Sequence, residues 1–175
     1  MDWALAKFGF GEVWRGWINT CLKSSRASVL VNDSPTDEFS LFRGLRQGDP
    51  LSPFLFIIAM EGLHSLIKDA VESGMITRAK VGQNDHRISH LLYADDVVFV
   101  TEWSLEAIPN ISHVLSTFFK MSGLKINIHK STVYGVGVSD DVVSTCAQVA
   151  GCGMGFLPFT YLGVPIGANM NRIGR

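Results

Sequence analysis

Two adjacent carboxylates, Asp95 and Asp96, sit in the run Leu91-Leu92-Tyr93-Ala94-Asp95-Asp96-Val97-Val98-Phe99-Val100, apolar on both sides. Like charges this close are costly unless a cation or solvent compensates them. Flanking strands of buried residues would hold the pair rigidly, and carboxylate oxygens together with substrate phosphates are the ligands Mg²⁺ prefers. The pattern suits two-metal phosphoryl transfer, in which one ion activates an attacking hydroxyl and the other holds the leaving group. The competing reading is a plain turn, because aspartates favour turns for their own local hydrogen bonding. The dipeptide alone does not separate the two.

A second segment carries chemistry of a different kind. Arg43-Gly44-Leu45-Arg46-Gln47-Gly48-Asp49-Pro50-Leu51-Ser52-Pro53 is polar and punctuated by glycine, and it delivers two arginines and an amide to the start of a helix. Positive side chains and a pliable backbone at a helix N-terminus suit phosphates and nucleotide edges. A strand-to-helix connection with solvated arginines accounts for the same residues.

The elements that must position these groups follow from periodicity and turn chemistry. Residues 3–10 and 13–22 are predicted helices divided by Gly9 and Gly11, the second carrying Trp14, Trp17 and Ile18, and no cap precedes Asp2. Residues 27–31 and 38–42 are predicted to pair as a hairpin about Asn32, Asp33, Ser34 and Pro35. A helix over 53–71 follows, capped by Ser52 and opened by Pro53, with Phe54, Ile57, Ile58, Leu66 and Ile67 on its apolar face. Strands at 88–93 and 97–100 surround the Asp95 tip. A helix over 105–121 has apolar residues Leu105, Ile108, Ile111, Leu115 and Phe118 and a C-cap at Gly123; Pro109 should kink it or move its start to about Asn110. Strands at 125–128 and 132–136, a helix at 140–150 capped by Ser139, and a last strand at 161–166 complete one α+β domain without repeats.

Composition narrows the class. The chain is 47% hydrophobic and 18% charged, with mean hydropathy +0.22, enough apolar surface for a sizeable core and unlike a disordered segment. A formal net charge of -1 supplies no global positive field for nucleic acid; basic residues are scattered locally, as in Lys23, Arg26, Lys120, Lys125 and Lys130. Cys21, Cys146 and Cys152 show no zinc spacing and suggest free thiols in a reducing compartment. The longest apolar run, 54–60, is far short of a bilayer span, and neither a signal peptide nor a nuclear-localisation cluster is visible.

Four motifs together carry a family resemblance. Arg46-Gln47-Gly48-Asp49-Pro50-Leu51-Ser52-Pro53, the Tyr93-Ala94-Asp95-Asp96 box, Ser122-Gly123-Leu124-Lys125-Ile126-Asn127 with Lys130-Ser131, and Tyr161-Leu162-Gly163-Val164-Pro165-Ile166-Gly167 resemble, in order and spacing, successive motifs of reverse transcriptases from LINE-type non-LTR retrotransposons, the plant members above all. The resemblance covers essentially all 175 residues. It implies one partial domain, 1–175: part of a polymerase right-hand palm, an antiparallel sheet whose catalytic hairpin packs on helices.

The resemblance also implies roles. Asp95 would be the principal metal ligand and Asp96 its partner near the primer end, with two Mg²⁺ or Mn²⁺ ions. Arg46, Gln47 and Gly48 would border the incoming nucleotide and the template base, and Tyr93 would wall the primer. Lys130 would lie near the triphosphate and donate a proton to pyrophosphate. Leu162 and Gly163 would belong to the primer grip, which places the 3′-hydroxyl. Partners would be an RNA template, a DNA primer and dNTPs, without a membrane, in an intracellular compartment, nuclear or cytoplasmic. Plainer roles stand beside these: a solvated lysine for Lys130, an ordinary turn for Leu162 and Gly163, aromatic packing for Tyr93.

These polymerases use a third carboxylate on an earlier strand, which would lie upstream of Met1, as would the start of the fingers, with the thumb beyond the primer grip. Asp2 falls on the helix side of that strand and is not the missing ligand. The expectation is therefore an RNA-directed DNA polymerase domain with little activity as this chain alone. The alternatives are a catalytically dead retrotransposon remnant with residual or no nucleic-acid binding, and an unrelated α+β protein with an accidental Asp-Asp turn.

Overall fold

A computed structural model describes residues 1–42, 44–45, 47–82, 84–104 and 106–167. The first two helices are α1 (Asp2–Lys7) and α2 (Glu12–Lys23). Helix α1 ends three residues before the expected Phe10 because the chain turns at Gly9, whose φ is +80°. Leu5 and Ile18 are buried between the two helices and the next one. Arg15 locks the pair with a two-pronged ion pair to Asp2, at 2.9 and 3.0 Å, and Asn19 adds a third hydrogen bond to the same carboxylate.

The expected N-terminal hairpin forms in two stages. Strands β2 (Leu30–Val31) and β3 (Ser34–Pro35) pair around Asn32 and Asp33, which have φ of +50° and +63°. Strands β1 (Arg26–Ala27) and β4 (Phe39–Ser40) pair farther out. Asn and Asp tolerate left-handed backbone better than other non-glycine residues, so this turn is cheap.

Helix α3 (Ser52–Glu72) starts one residue earlier than expected. Ser52 lies in its first turn, Leu51 is the boundary residue, and the Asp49 carboxylate accepts the Leu51 N–H at 2.8 Å. Its buried stripe is Leu55, Ala59, Leu63, Ile67 and Ala70, at spacings of three and four. Ile67 meets expectation and Ile58 and Leu66 are half-buried, but Phe54 and Ile57 are 65% and 63% exposed. A helix apolar nearly all round does not reveal from its sequence which stripe the fold will cover.

Strands β5 (Ala79–Val81), β6 (His86–Ile88), β7 (His90–Tyr93) and β8 (Asp96–Phe99) form two hairpins, β5 with β6 and β7 with β8. The single strand expected over 88–93 is thus divided at Ser89, and β5 was not foreseen. Helix α4 (Ala107–Ser122) begins before Pro109, not at Asn110. Pro109 sits in the first turn, where a backbone N–H has no helical partner to lose, so no break is required. Gly123 takes the left-handed C-cap expected of it, φ +76°.

The chain beyond α4 departs from expectation at three places: a 3-10 turn, the unexpected strand β10 and a terminal hairpin. A 3-10 turn (Ile128–Lys130) replaces the strand expected over 125–128, because the Asn127 carbonyl accepts the Lys130 N–H and the Ser131 hydroxyl. Strand β9 (Thr132–Tyr134), helix α5 (Asp140–Ala150) and strand β10 (Gly153–Gly155) then make a parallel βαβ unit. The expected last strand folds back on itself: β11 (Phe159–Tyr161) and β12 (Val164–Ile166) are a hairpin turning at Leu162 and Gly163.

Among the described residues the strands make six two-stranded ladders, five antiparallel and one parallel, beside five α-helices, so the α+β expectation holds. The core is in two parts. One joins Leu5, Ile18 and Leu55; the other joins Leu63, Ile67, Ala70, Ile76, Val114 and Phe118. An apolar groove of about 760 Å³ runs between them, lined by Leu22, Phe42, Leu55, Phe118, Met121 and Leu124 among others. No helix of the described residues is long and apolar enough to cross a membrane.

Candidate functional site

The β7–β8 hairpin is built from the core outward. In the register His90↔Phe99, Leu91↔Val98, Leu92↔Val97 and Tyr93↔Asp96, successive pairs face opposite sides of the ladder. Leu92, Val97 and Phe99 rest on the α3–α4 core, against Leu63, Ile67, Val114 and Phe118 and their neighbours. Tyr93 and Asp96, directly paired, share the outer face and are exposed, as is Asp95 in the turn. A bond from the Val100 N–H to the Ser89 carbonyl, 2.8 Å, continues the ladder past its base. Two carboxylates are thereby presented to solvent on a strand pair whose other face is clamped by apolar packing.

The turn itself is strained. Ala94 has φ +49°, a left-handed conformation that costs a residue with a Cβ about 1–2 kcal/mol. The same holds for Leu162, φ +50°, at the tip of β11–β12, where Gly163 follows at +80°. Among the described residues, those other than glycine with positive φ are Asn32, Asp33, Ala94 and Leu162. The first two are residue types suited to it; the other two lie in the motifs singled out from the sequence. Strain held against its own cost clusters at functional sites.

The remaining sequence-derived residues lie on other elements. Gln47 and Gly48, with Asp49 and Pro50, line a cavity of about 260 Å³ just before α3. Arg46 lies outside the described residues, as do Arg43 and Leu105. Lys130 closes the 3-10 turn and is exposed. Asp2, tied to Arg15 and Asn19, has a structural role: the Arg15 guanidinium, foremost, holds its carboxyl below the usual carboxylate range. Among the described residues no group of three or more His, Cys, Asp or Glu is placed to hold a metal ion.

One connection was invisible in the sequence. His64, on α3, and His90, at the base of β7, meet at 2.8 Å between Nδ1 and Nε2, and the His90 Nδ1 lies 2.9 Å from the Ser89 hydroxyl. Burial, then the nearby His64 and Arg78, pushes the His90 imidazole below the usual histidine range. A polar residue inside the strand expected over 88–93 was the hint, and it named no partner.

Comparison with known proteins gives the family. The family model described as reverse transcriptase (RNA-dependent DNA polymerase) matches residues 2–166. An uncharacterized mitochondrial protein of Arabidopsis thaliana is 38% identical over 112 residues, 62% of this chain and 88% of that protein. A retrovirus-related Pol polyprotein from a type-1 retrotransposable element R2 of Popillia japonica is 29% identical over 79% of this chain, and a transposon TX1 149 kDa protein of Xenopus laevis is 29% identical over 73%. The chain spans only 19% and 9% of the lengths of those last two proteins. The two aspartates on their clamped hairpin therefore stand in a protein that belongs to the reverse transcriptase family, in its non-LTR retrotransposon branch.

Proposed function

We propose that this chain is the palm portion of an RNA-directed DNA polymerase that extends a DNA primer on an RNA template by nucleotidyl transfer from dNTPs. The observation that carries the reading is the β7–β8 hairpin: two exposed carboxylates, a left-handed alanine beside them, and an apolar footing on the α3–α4 core. The two-residue turn sets its first central residue left-handed, and here that residue is alanine, not glycine, so the chain holds this tip at a cost.

The donor chemistry fits Mg²⁺ or Mn²⁺. Asp95 and Asp96 offer hard carboxylate oxygens on an open tip, and Mg²⁺ is usually held by one or two carboxylates with water and substrate phosphates completing its shell. Bound there, the two ions would polarise the phosphoryl group and lower the pKa of the attacking hydroxyl. Asp95 is the principal holder and Asp96 the one nearer the primer. Tyr93, across the ladder from Asp96, offers an aromatic wall on the same exposed face. Gln47 and Gly48, with Arg46, border the nucleotide and the template base ahead of α3, whose N-terminus favours negative charge. Lys130 would serve as proton donor to the departing pyrophosphate, and Leu162 with Gly163 would steady the primer end. The protein works inside the cell, in nucleus or cytoplasm, wherever its template RNA and primer meet.

The test is primer extension on an RNA template with Mg²⁺, by this chain joined to the flanking polymerase segments of a related Pol protein, beside its Asp95→Asn variant. Synthesis should fall by about a thousandfold or more, as when a principal electrostatic group is removed from a polar transition state. Equal synthesis by the two proteins overturns the assignment.

A further inference from the structure

Among the described residues, the aspartate-bearing hairpin meets the α3–α4 core through apolar contacts and through one side-chain polar link. That link is the His64–His90 pair between α3 and the first residue of β7. Its rings lie 5.0 Å apart at 47°, and His90 uses its second nitrogen on Ser89, the residue at which the β6 and β7 strands divide. Both nitrogens of His90 are therefore engaged, and either sense of the chain is consistent: a proton on His64 Nδ1 donated to His90 Nε2 with His90 Nδ1–H donated to Ser89, or the reverse.

From this geometry we infer that His64 and His90 are positioning residues, a proton-gated tether that holds the Asp95–Asp96 hairpin to α3. The inference rests on the hairpin being the metal-binding element of the proposed polymerase. With no proton or one proton beyond the neutral pair, an N–H on one ring faces a lone pair on the other and the tether is closed. A second added proton sets N–H against N–H at 2.8 Å and opens it.

The surroundings favour staged protonation. His90 meets His64 from α3 and Ser89 from its own chain, the Arg78 guanidinium approaches from the segment before β5, and Phe99 is its ladder partner. On α3, Glu61 and Lys68 stand one turn to either side of His64. Burial, then the neighbouring His64 and Arg78, hold His90 neutral to lower pH than usual, so the second added proton arrives only below the usual histidine range.

The test is amide hydrogen exchange over residues 90–99 of the purified chain at pH 7.5 and pH 4.5, corrected for intrinsic rates. Wild-type protection should fall at least about fivefold at the lower pH, a local opening well short of global unfolding. His64→Ala should be poorly protected at both values. His64→Asn, whose side-chain amide reaches the position of Nδ1 without titrating, should restore protection and make it independent of pH. Equal wild-type protection at the two values overturns the tether, and so does a His64→Asn chain that keeps the pH dependence. The Asp95→Asn chain should exchange like wild type, so a failed primer-extension experiment and a failed tether are separate outcomes.

Discussion

Leu63 and Phe54 lie nine residues apart on α3, and the fold treats them oppositely. Leu63 is fully buried in the cluster that supports the hairpin, whereas Phe54 is 65% exposed. Replacing Leu63 with alanine removes three buried carbons at about 0.8 kcal/mol each, so about 2.4 kcal/mol in transfer alone. A residual cavity of roughly 50 Å³ at about 24 cal/mol per Å³ adds roughly 1 kcal/mol. The loss of about 3.5 kcal/mol should lower Tm by roughly 7–14 °C, at about 2–4 °C per kcal/mol for a chain of this length. Phe54→Ala should change stability by less than about 0.5 kcal/mol. Urea denaturation followed by tryptophan fluorescence measures both, and an unchanged slope confirms that the denatured state is not the cause. A Phe54→Ala chain that is destabilised as much as Leu63→Ala would refute the assignment of the buried stripe, and with it the apolar footing of the hairpin.

Three further outcomes are expected. Ala94→Gly should relieve left-handed strain and stabilise the chain by up to about 1 kcal/mol in thermal melts, while faster amide exchange at residues 93–96 shows a looser tip. Gly155→Ala places a Cβ inside contact distance of the Tyr134 ring, which stacks on Phe159 at 4.0 Å, so melting should show a loss of about 1–3 kcal/mol from overpacking. The Asp2 carboxyl is held low in the folded chain, so the folded state binds fewer protons than the unfolded one as acid is added. The stability it contributes is present above the ordinary carboxylate range and is lost as pH falls through and below about 4. The Asp2→Asn chain should show a shallower acid-induced decline over that window.

Local chemistry made much of the site legible in the chain itself. Asn32-Asp33 between short β-type runs, Gly123 after an amphipathic helix and the aspartates between two apolar runs are each set by residues within a few positions of one another, and each adopts the expected form. The misses have one kind of cause. Residues 161–166 read as one strand by their apolar run, beside a turn reading for Leu162 and Gly163; the fold takes the turn, with Leu162 in a left-handed conformation. Residues 79–81 and 153–155 are too short and mixed to read as strands until a partner supplies their hydrogen bonds.

By itself the amino-acid sequence determined the family, the order of the motifs, the α+β class and the hairpin of Tyr93, Ala94, Asp95 and Asp96, because those depend on residue identity and near-neighbour geometry. Only the tertiary structure decided which stripe of α3 is covered, that Pro109 does no harm in the first turn of α4, and that His64 meets His90. These depend on where one element lies against another across 26 residues of chain, as in the histidine pair, and side-chain types along a single segment carry no record of the partner that packing will bring.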